Sequence, residues 1–335
     1  MLALLGLAAG ALNLAAEGPA GAPHLSPGPS TVSTAKQPDG SYHYLVNGQP
    51  QVFIGMGYNP IYRYLPEQQR AANYRRDFEI LRDAGVNTIT GWDSDKGYDQ
   101  DTFDELTLNS ADQFGIGVVM PLNLPPKGDY SDPAFVLSLM VEAQNKIERF
   151  KDNPALRMWG VGNEVYAAMA AQGAESGSYD AFAQAYLNIV DLFHQLDPNH
   201  PVIYREAEDT FVPAIAQSLR DSGDMRPWLL YGMNIYDKDP EPLLSRWPDY
   251  GLDRPVFVSE FGAQGGTPEE RALANVSMWN AIRAHPDYVL GGAPYVWTTD
   301  GPEPTDQIWG LMDGNSRPVD DTFAALSAAW RSERP

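Results

Sequence analysis

From Val52 onward, short and nearly unbroken apolar runs alternate with amphipathic segments of helical length, and this alternation repeats eight times. Runs of this kind suit strands of a parallel sheet covered by helices, because both faces of such a sheet are buried. The pattern predicts strands over 52–58, 86–91, 116–122, 156–162, 201–205, 228–235, 255–260 and 289–297. It predicts helices over 68–84, 101–114, 133–150, 178–196, 211–220, 240–246, 268–284 and 319–331. Eight strand–helix units favour a single-domain α/β fold, the closed (β/α)8 or TIM barrel, with an open doubly wound sheet as the alternative. Punctuation agrees with these bounds. Gly85 and Gly115 stand where helices end, and Asp132-Pro133 and Thr267-Pro268 read as a cap followed by proline in the first turn. Around Pro240 to Pro248 the prolines predict a broken helix or a loop.

The chain carries 23 Lys+Arg against 44 Asp+Glu, a formal charge of −21, and no run of basic residues. Such a surface repels nucleic acid and anionic membrane and suits a neutral polymer or small neutral ligand. There are no cysteines, which excludes disulfides, thiolate metal sites and cysteine nucleophiles. The five histidines show no metal-ligand spacing, so no metal and no cofactor are expected. Residues 1–16 are apolar and rich in Ala and Leu, too short for a stable membrane span. They resemble the apolar part of an export signal without its basic leading region, so the expected location is secreted or periplasmic. Residues 17–40 are rich in Pro, Gly, Ser and Ala and read as a flexible linker, leaving 41–335 as the barrel domain.

Two of the predicted strands end on glutamates: Trp159-Gly160-Val161-Gly162-Asn163-Glu164 and Val258-Ser259-Glu260-Phe261-Gly262. In a parallel barrel all strands point the same way, so residues at their C-terminal ends gather on one face. Two carboxyl groups there, about 5 Å apart, are the equipment for cleaving a glycosidic bond with retention. One protonates the leaving oxygen and the other attacks the anomeric carbon. Asn163 is placed to hold the sugar's 2-hydroxyl.

These two segments resemble the strand-four and strand-seven motifs of glycoside hydrolase clan A. The nearest likenesses are the barrel domain of family 2 enzymes and the family 72 β-1,3-glucanosyltransferases. The second rests on Gly162-Asn163-Glu164-Val165, on Tyr231-Gly232-Met233-Asn234-Ile235-Tyr236 and on the stretch from Gly291 to Tyr295. The resemblance covers about residues 50–330 and implies Glu164 as acid/base and Glu260 as nucleophile. It further implies that Tyr236 hydrogen-bonds the nucleophile and that Trp297 forms an aromatic platform under the sugar. Asn234 joins the substrate-binding candidates. One departure stands out: many clan members carry an Arg near the end of strand two, whereas here the segment reads Asn87-Thr88-Ile89-Thr90-Gly91-Trp92-Asp93. Either another cation, such as Arg205 after strand five, takes its place, or the site is tuned differently.

Further candidates for the mouth are Tyr58 and Asn59 after strand one, Trp92 and Asp93 after strand two, Asn123 after strand three, and Trp309 after strand eight. Exposed aromatic rings stack on sugar rings, so this set suits a saccharide groove. Glu206 and Glu208 form a rival carboxylate pair. The expected protein is a retaining glycosidase or transglycosidase acting on β-linked oligosaccharides or polysaccharides. The alternative is a carbohydrate-binding pseudo-enzyme on the same barrel. An aldolase or metal hydrolase finds no support, lacking a strand-end lysine or a histidine cluster.

Overall fold

The computed structural model describes residues 28–92 and 103–333. The chain opens with a small antiparallel sheet of β1 (Val32–Lys36), β2 (Tyr42–Val46) and β3 (Gln49–Gln51). Strand β1 falls inside the segment whose composition reads as linker. Its run Val32-Ser33-Thr34-Ala35-Lys36 pairs in register with β2, Val32 opposite Val46 and Lys36 opposite Tyr42. A composition average dilutes so short a strand, whose partner lies only a few residues further on.

Eight parallel strands then close a barrel: β4 (Phe53–Gly57), β5 (Thr88–Thr90), β6 (Gly117–Leu122), β7 (Leu156–Asn163), β8 (Val202–Ala207), β9 (Leu229–Tyr236), β10 (Val256–Gly262) and β11 (Val289–Pro294). Neighbours in the wall are neighbours in the chain, and β11 closes onto β4. The predicted (β/α)8 barrel is the observed fold. Its last strand stops at Pro294, three residues short of the predicted end.

The helices are α1 (Glu67–Ala84), α2 (Glu105–Gln113), α3 (Pro133–Phe150), α4 (Val165–Ala171), α5 (Ser176–Leu196), α6 (Val212–Ser222), α7 (Glu241–Leu244), α8 (Pro268–Arg283), α9 (Asp306–Trp309) and α10 (Thr322–Arg331). Their ends follow the sequence signals. Gly85 closes α1 in the left-handed region at φ 108°, while Asp104, Asp132 and Thr267 cap α2, α3 and α8 with side-chain oxygens. Between β9 and β10 the predicted helix is indeed broken, into the single turn α7 and a 3₁₀ turn at Trp247–Tyr250. Pro248 has no N–H and its ring would clash with the carbonyl four residues back, so no helix passes it.

The barrel interior is filled from below. Phe53 and Phe257 meet edge to face at 5.3 Å, and Tyr44 of the small sheet stands against both at 6.2 and 5.8 Å. Val32 and Val46 complete this plug beneath Met158, Ile203 and Leu230. A larger apolar layer lies between the barrel wall and the helices. With the N-terminal end of the barrel stoppered, the opening left is at the C-terminal ends of the strands.

Candidate active site

Strand β7 delivers Asn163 and then Glu164, which leaves the strand at φ 50°, ψ 30° and becomes the N-cap of α4. A non-glycine residue in this left-handed region costs about 1–3 kcal/mol and persists where surroundings enforce it. Two contacts enforce it here. The Glu164 amide donates to the Arg205 carbonyl at 2.9 Å. The Tyr166 amide, in the first turn of α4, donates to the Glu206 carboxylate at 2.9 Å. The strained corner throws the Glu164 side chain into the mouth.

Glu260 arrives differently, as a residue of β10 only 4% exposed. The Trp92 indole N–H donates to its Oε1 at 2.7 Å, and the Tyr236 hydroxyl donates to Oε2. Asn234 links the Glu164 carboxyl to the strand that carries Glu260. Its Nδ2 donates to Glu164 Oε1 at 3.0 Å and to Asn163 Oδ1 at 3.3 Å. Its Oδ1 accepts from Ser259, the residue before Glu260, at 2.7 Å. The carboxylate oxygen of Glu164 only accepts, so the amide nitrogen faces it and the Ser259 hydroxyl, which can do either, donates to the amide oxygen.

Both glutamates line one cavity of about 510 Å³, shared with Tyr58, Asn59, Trp92, Asn123, Asn163, Tyr236 and Trp309. Tyr295, Glu303 and Asp306 line it as well. Aromatic rings form its walls: Tyr236 lies 4.9 Å from Trp309, and Trp92 lies 5.1 Å from Tyr295 at a steep angle. Asn59 braces the rim, exchanging bonds of 2.9 and 3.0 Å with the backbone of Thr298. Tyr58 lines the cavity from the core side: it is buried and its hydroxyl donates to Asp77 at 2.8 Å.

Burial pushes the Glu260 carboxyl up to about 7, and the like charge of Glu164 pushes the same way. The Tyr236 hydroxyl, the Arg205 guanidinium and the Trp92 N–H pull against them. Glu206 is also driven up to about 7 by burial, opposed by the Tyr204 hydroxyl and the amides of Ala207 and Tyr166.

Several predicted residues are placed elsewhere. Trp297 is not a platform under the cavity: it is fully buried, packed between Tyr58 at 6.3 Å and Phe323 at 5.7 Å. Because β11 stops at Pro294, Tyr295 occupies the mouth and Trp297 falls back into the core. The rival pair Glu206 and Glu208 does not reach the cavity. Glu206 is fully buried under the start of α4, and Glu208 pairs with Lys238. Asp93 lies outside the described residues, as does the apolar segment 1–16. Glu303 and Asp306 went unnoticed in the sequence because they sit in a long connection with no periodic pattern to place them.

No protein-family model matches the chain, and no curated protein matches it by sequence. Solved structures do match. A GH2 β-galacturonidase from Eisenbergiella tayi, crystallised with galacturonate, aligns at a TM-score of 0.67 and 19% identity, over 90% of this chain and 54% of its own. The likeness is one of fold. A β-glucuronidase of Bacteroides uniformis aligns at 0.66 and 17% identity, over 88% of this chain and 36% of its own. A β-D-glucuronidase from Dictyoglomus thermophilum aligns at 0.64 and 19% identity, over 91% of this chain and 54% of its own. This chain therefore spans about half the length of these structures, or less, and the shared part is the barrel. Among the described residues no helix is long and apolar enough to cross a membrane.

Proposed function

We propose that the chain is a retaining glycoside hydrolase or transglycosidase acting on β-linked saccharides. The observation that carries this reading is the convergence of Glu164 and Glu260 from the ends of β7 and β10 on one aromatic-walled cavity. In the first step a Glu260 oxygen attacks the anomeric carbon while the bond to the leaving oxygen breaks and Glu164 gives that oxygen its proton. In the second, Glu164 takes a proton from water or from a sugar hydroxyl, whose oxygen attacks the anomeric carbon and releases Glu260. Tyr236 and Trp92, each donating to Glu260, hold its attacking oxygen in place and favour its ionised form. Asn163 is the candidate partner for the 2-hydroxyl, and Trp309 or Tyr295 for the sugar's apolar face. No cofactor enters these steps. The apolar segment 1–16 supports export of the chain.

The lining also bears on which sugar fits. The charged groups of the described lining are Glu164, Glu260, Glu303 and Asp306, all acidic. A uronate carboxylate placed among them meets like charge in a partly desolvated space. A neutral sugar meets none, and neutral β-glycosides are the proposed substrates even though the structural neighbours carry uronidase names.

A panel of aryl β-glucoside, β-galactoside, β-mannoside and β-glucuronide, followed by product analysis on β-glucan oligosaccharides, tests both points. Turnover is expected on a neutral glycoside, with the β-glucuronide slower by about tenfold or more, the factor that each 1.4 kcal/mol of repulsion gives. Glu260→Ala should abolish turnover while leaving the fold intact. A fully active Glu260→Ala variant would refute the nucleophile assignment.

A further inference from the structure

Arg205 is a buried cation to which the steps above give no task. On β8, Tyr204 and Glu206 face the helix layer, so Arg205 between them faces into the barrel, where it is 2% exposed. Its Nη1 donates to the Gly91 carbonyl at 2.7 Å and to Thr90 Oγ1 at 3.2 Å, and its Nη2 donates to the Gly160 carbonyl at 3.4 Å. Room for the guanidinium comes from Gly160: a Cβ there would stand 3.1 Å from the guanidinium carbon. Gly91 is followed directly by Trp92, and the guanidinium lies 5.8 Å from the centroid of that indole. The same indole donates to Glu260 at 2.7 Å. Behind the ring, Gly57 leaves the space it needs, since a Cβ at 57 would come within 2.7 Å of it. A continuous line of contacts thus runs from Arg205 through the end of β5 and Trp92 to the carboxylate.

We propose that Arg205 is a positioning residue that grips the end of β5, backs the Trp92 ring and so holds Glu260 ionised and aimed at the anomeric carbon. The inference rests on the reading of Glu260 as nucleophile. A guanidinium stays charged wherever it is buried, so its field acts at every working pH. The titratable groups facing Glu260 are Glu164 from the end of β7, Tyr236 from β9 and Tyr295 beyond β11, with Arg205 supplying the positive charge from β8. The first is acidic and raises the carboxyl's hold on its proton; Arg205 lowers it.

The test is a direct titration of Glu260 by carbon NMR on protein labelled at the glutamate carboxyl carbons, with Glu260→Gln used for assignment. In Arg205→Met the Glu260 midpoint should rise by about one pH unit, a tenfold gain in proton affinity. Arg205→Lys keeps a charge but loses the planar face toward Trp92 and the second donor, and should give a smaller rise. The acid limb of first-turnover rates on an activated aryl glycoside should move by the same amounts, whereas a merely structural role would lower rates without moving that limb. An unchanged midpoint in whichever variant folds overturns the proposal. A shifted midpoint in a protein that turns over no glycoside upholds the electrostatic role of Arg205 and overturns the proposed function instead.

Discussion

At the scale of single residues, the site is a balance of opposed effects on Glu260. Burial and the neighbouring charge of Glu164 drive its carboxyl up, and three polar groups pull it back. Replacing Glu164 by Gln removes a like charge and leaves a side chain of similar shape. The sign follows: with less repulsion, Glu260 gives up its proton at lower pH than in the parent. A dinitrophenyl glycoside leaves without acid help, so its first turnover reports the nucleophile alone. The acid limb of that reaction should lie about one pH unit or less below the parent's in Glu164→Gln. Stopped-flow bursts across pH 4–9 would show it, and a limb moved upward would contradict the coupling. The two glutamates were legible in the sequence because each closes an apolar run, so the strand pattern alone gives their place. Trp297 was misplaced for the same reason in reverse. The apolar stretch runs on after the strand has stopped, and a shift of three residues exchanges a mouth position for a core one.

At the scale of elements, the barrel strands and most helices were legible, since caps and prolines mark their ends locally. Helix α4 was not. Its seven residues, Val165 to Ala171, follow β7 without a polar cap of their own, so no start signal is visible. The signal comes instead from the next strand. Glu206 of β8 accepts from the Tyr166 amide at 2.9 Å and the Ala167 amide at 3.4 Å, besides Ala207 and the Tyr204 hydroxyl. A carboxylate can take all four donors, but an amide turns one end into a donor facing donors. Glu206→Gln should therefore leave one of these amides without an acceptor and loosen the start of α4, read by faster hydrogen exchange at Tyr166 and Ala167. Because Glu164 is the N-cap of α4, loosening this helix start also misplaces the proposed acid. kcat on a substrate with a poor leaving group should fall by about tenfold to a hundredfold, with KM nearly unchanged. Unaltered kcat in a Glu206→Gln protein whose Tyr166 and Ala167 amides exchange faster would show that α4 does not position Glu164.

At the scale of the whole molecule, one end of the barrel is packed for stability and the other is held open at some cost to it. Tyr44, Phe53 and Phe257 close the bottom with interlocked rings. At the top, a carboxyl 4% exposed sits in a partly apolar cavity and is pushed from an ordinary 4.5 up to about 7. A carboxyl whose midpoint is higher folded than unfolded adds stability that is complete below about pH 4.5 and lost as pH rises through 7. A shift of this size corresponds to about 3 kcal/mol at pH 8. Lowered carboxylates elsewhere, such as Asp104 against Arg70 and Asp320 against Thr322 and Arg271, act in the opposite sense, so the total curve hides the effect. The difference between the parent and Glu260→Gln isolates it. The Gln carbonyl still accepts from Trp92 and its amide can donate to the Tyr236 oxygen, so the cavity keeps its bonds. Glu260→Gln should match the parent in urea unfolding at pH 4 and exceed it by up to about 3 kcal/mol at pH 8, while losing turnover. Equal stability of the two proteins at pH 8 would mean that the ionised side chain is not strained by its surroundings, and that the cavity is wetter than its lining indicates.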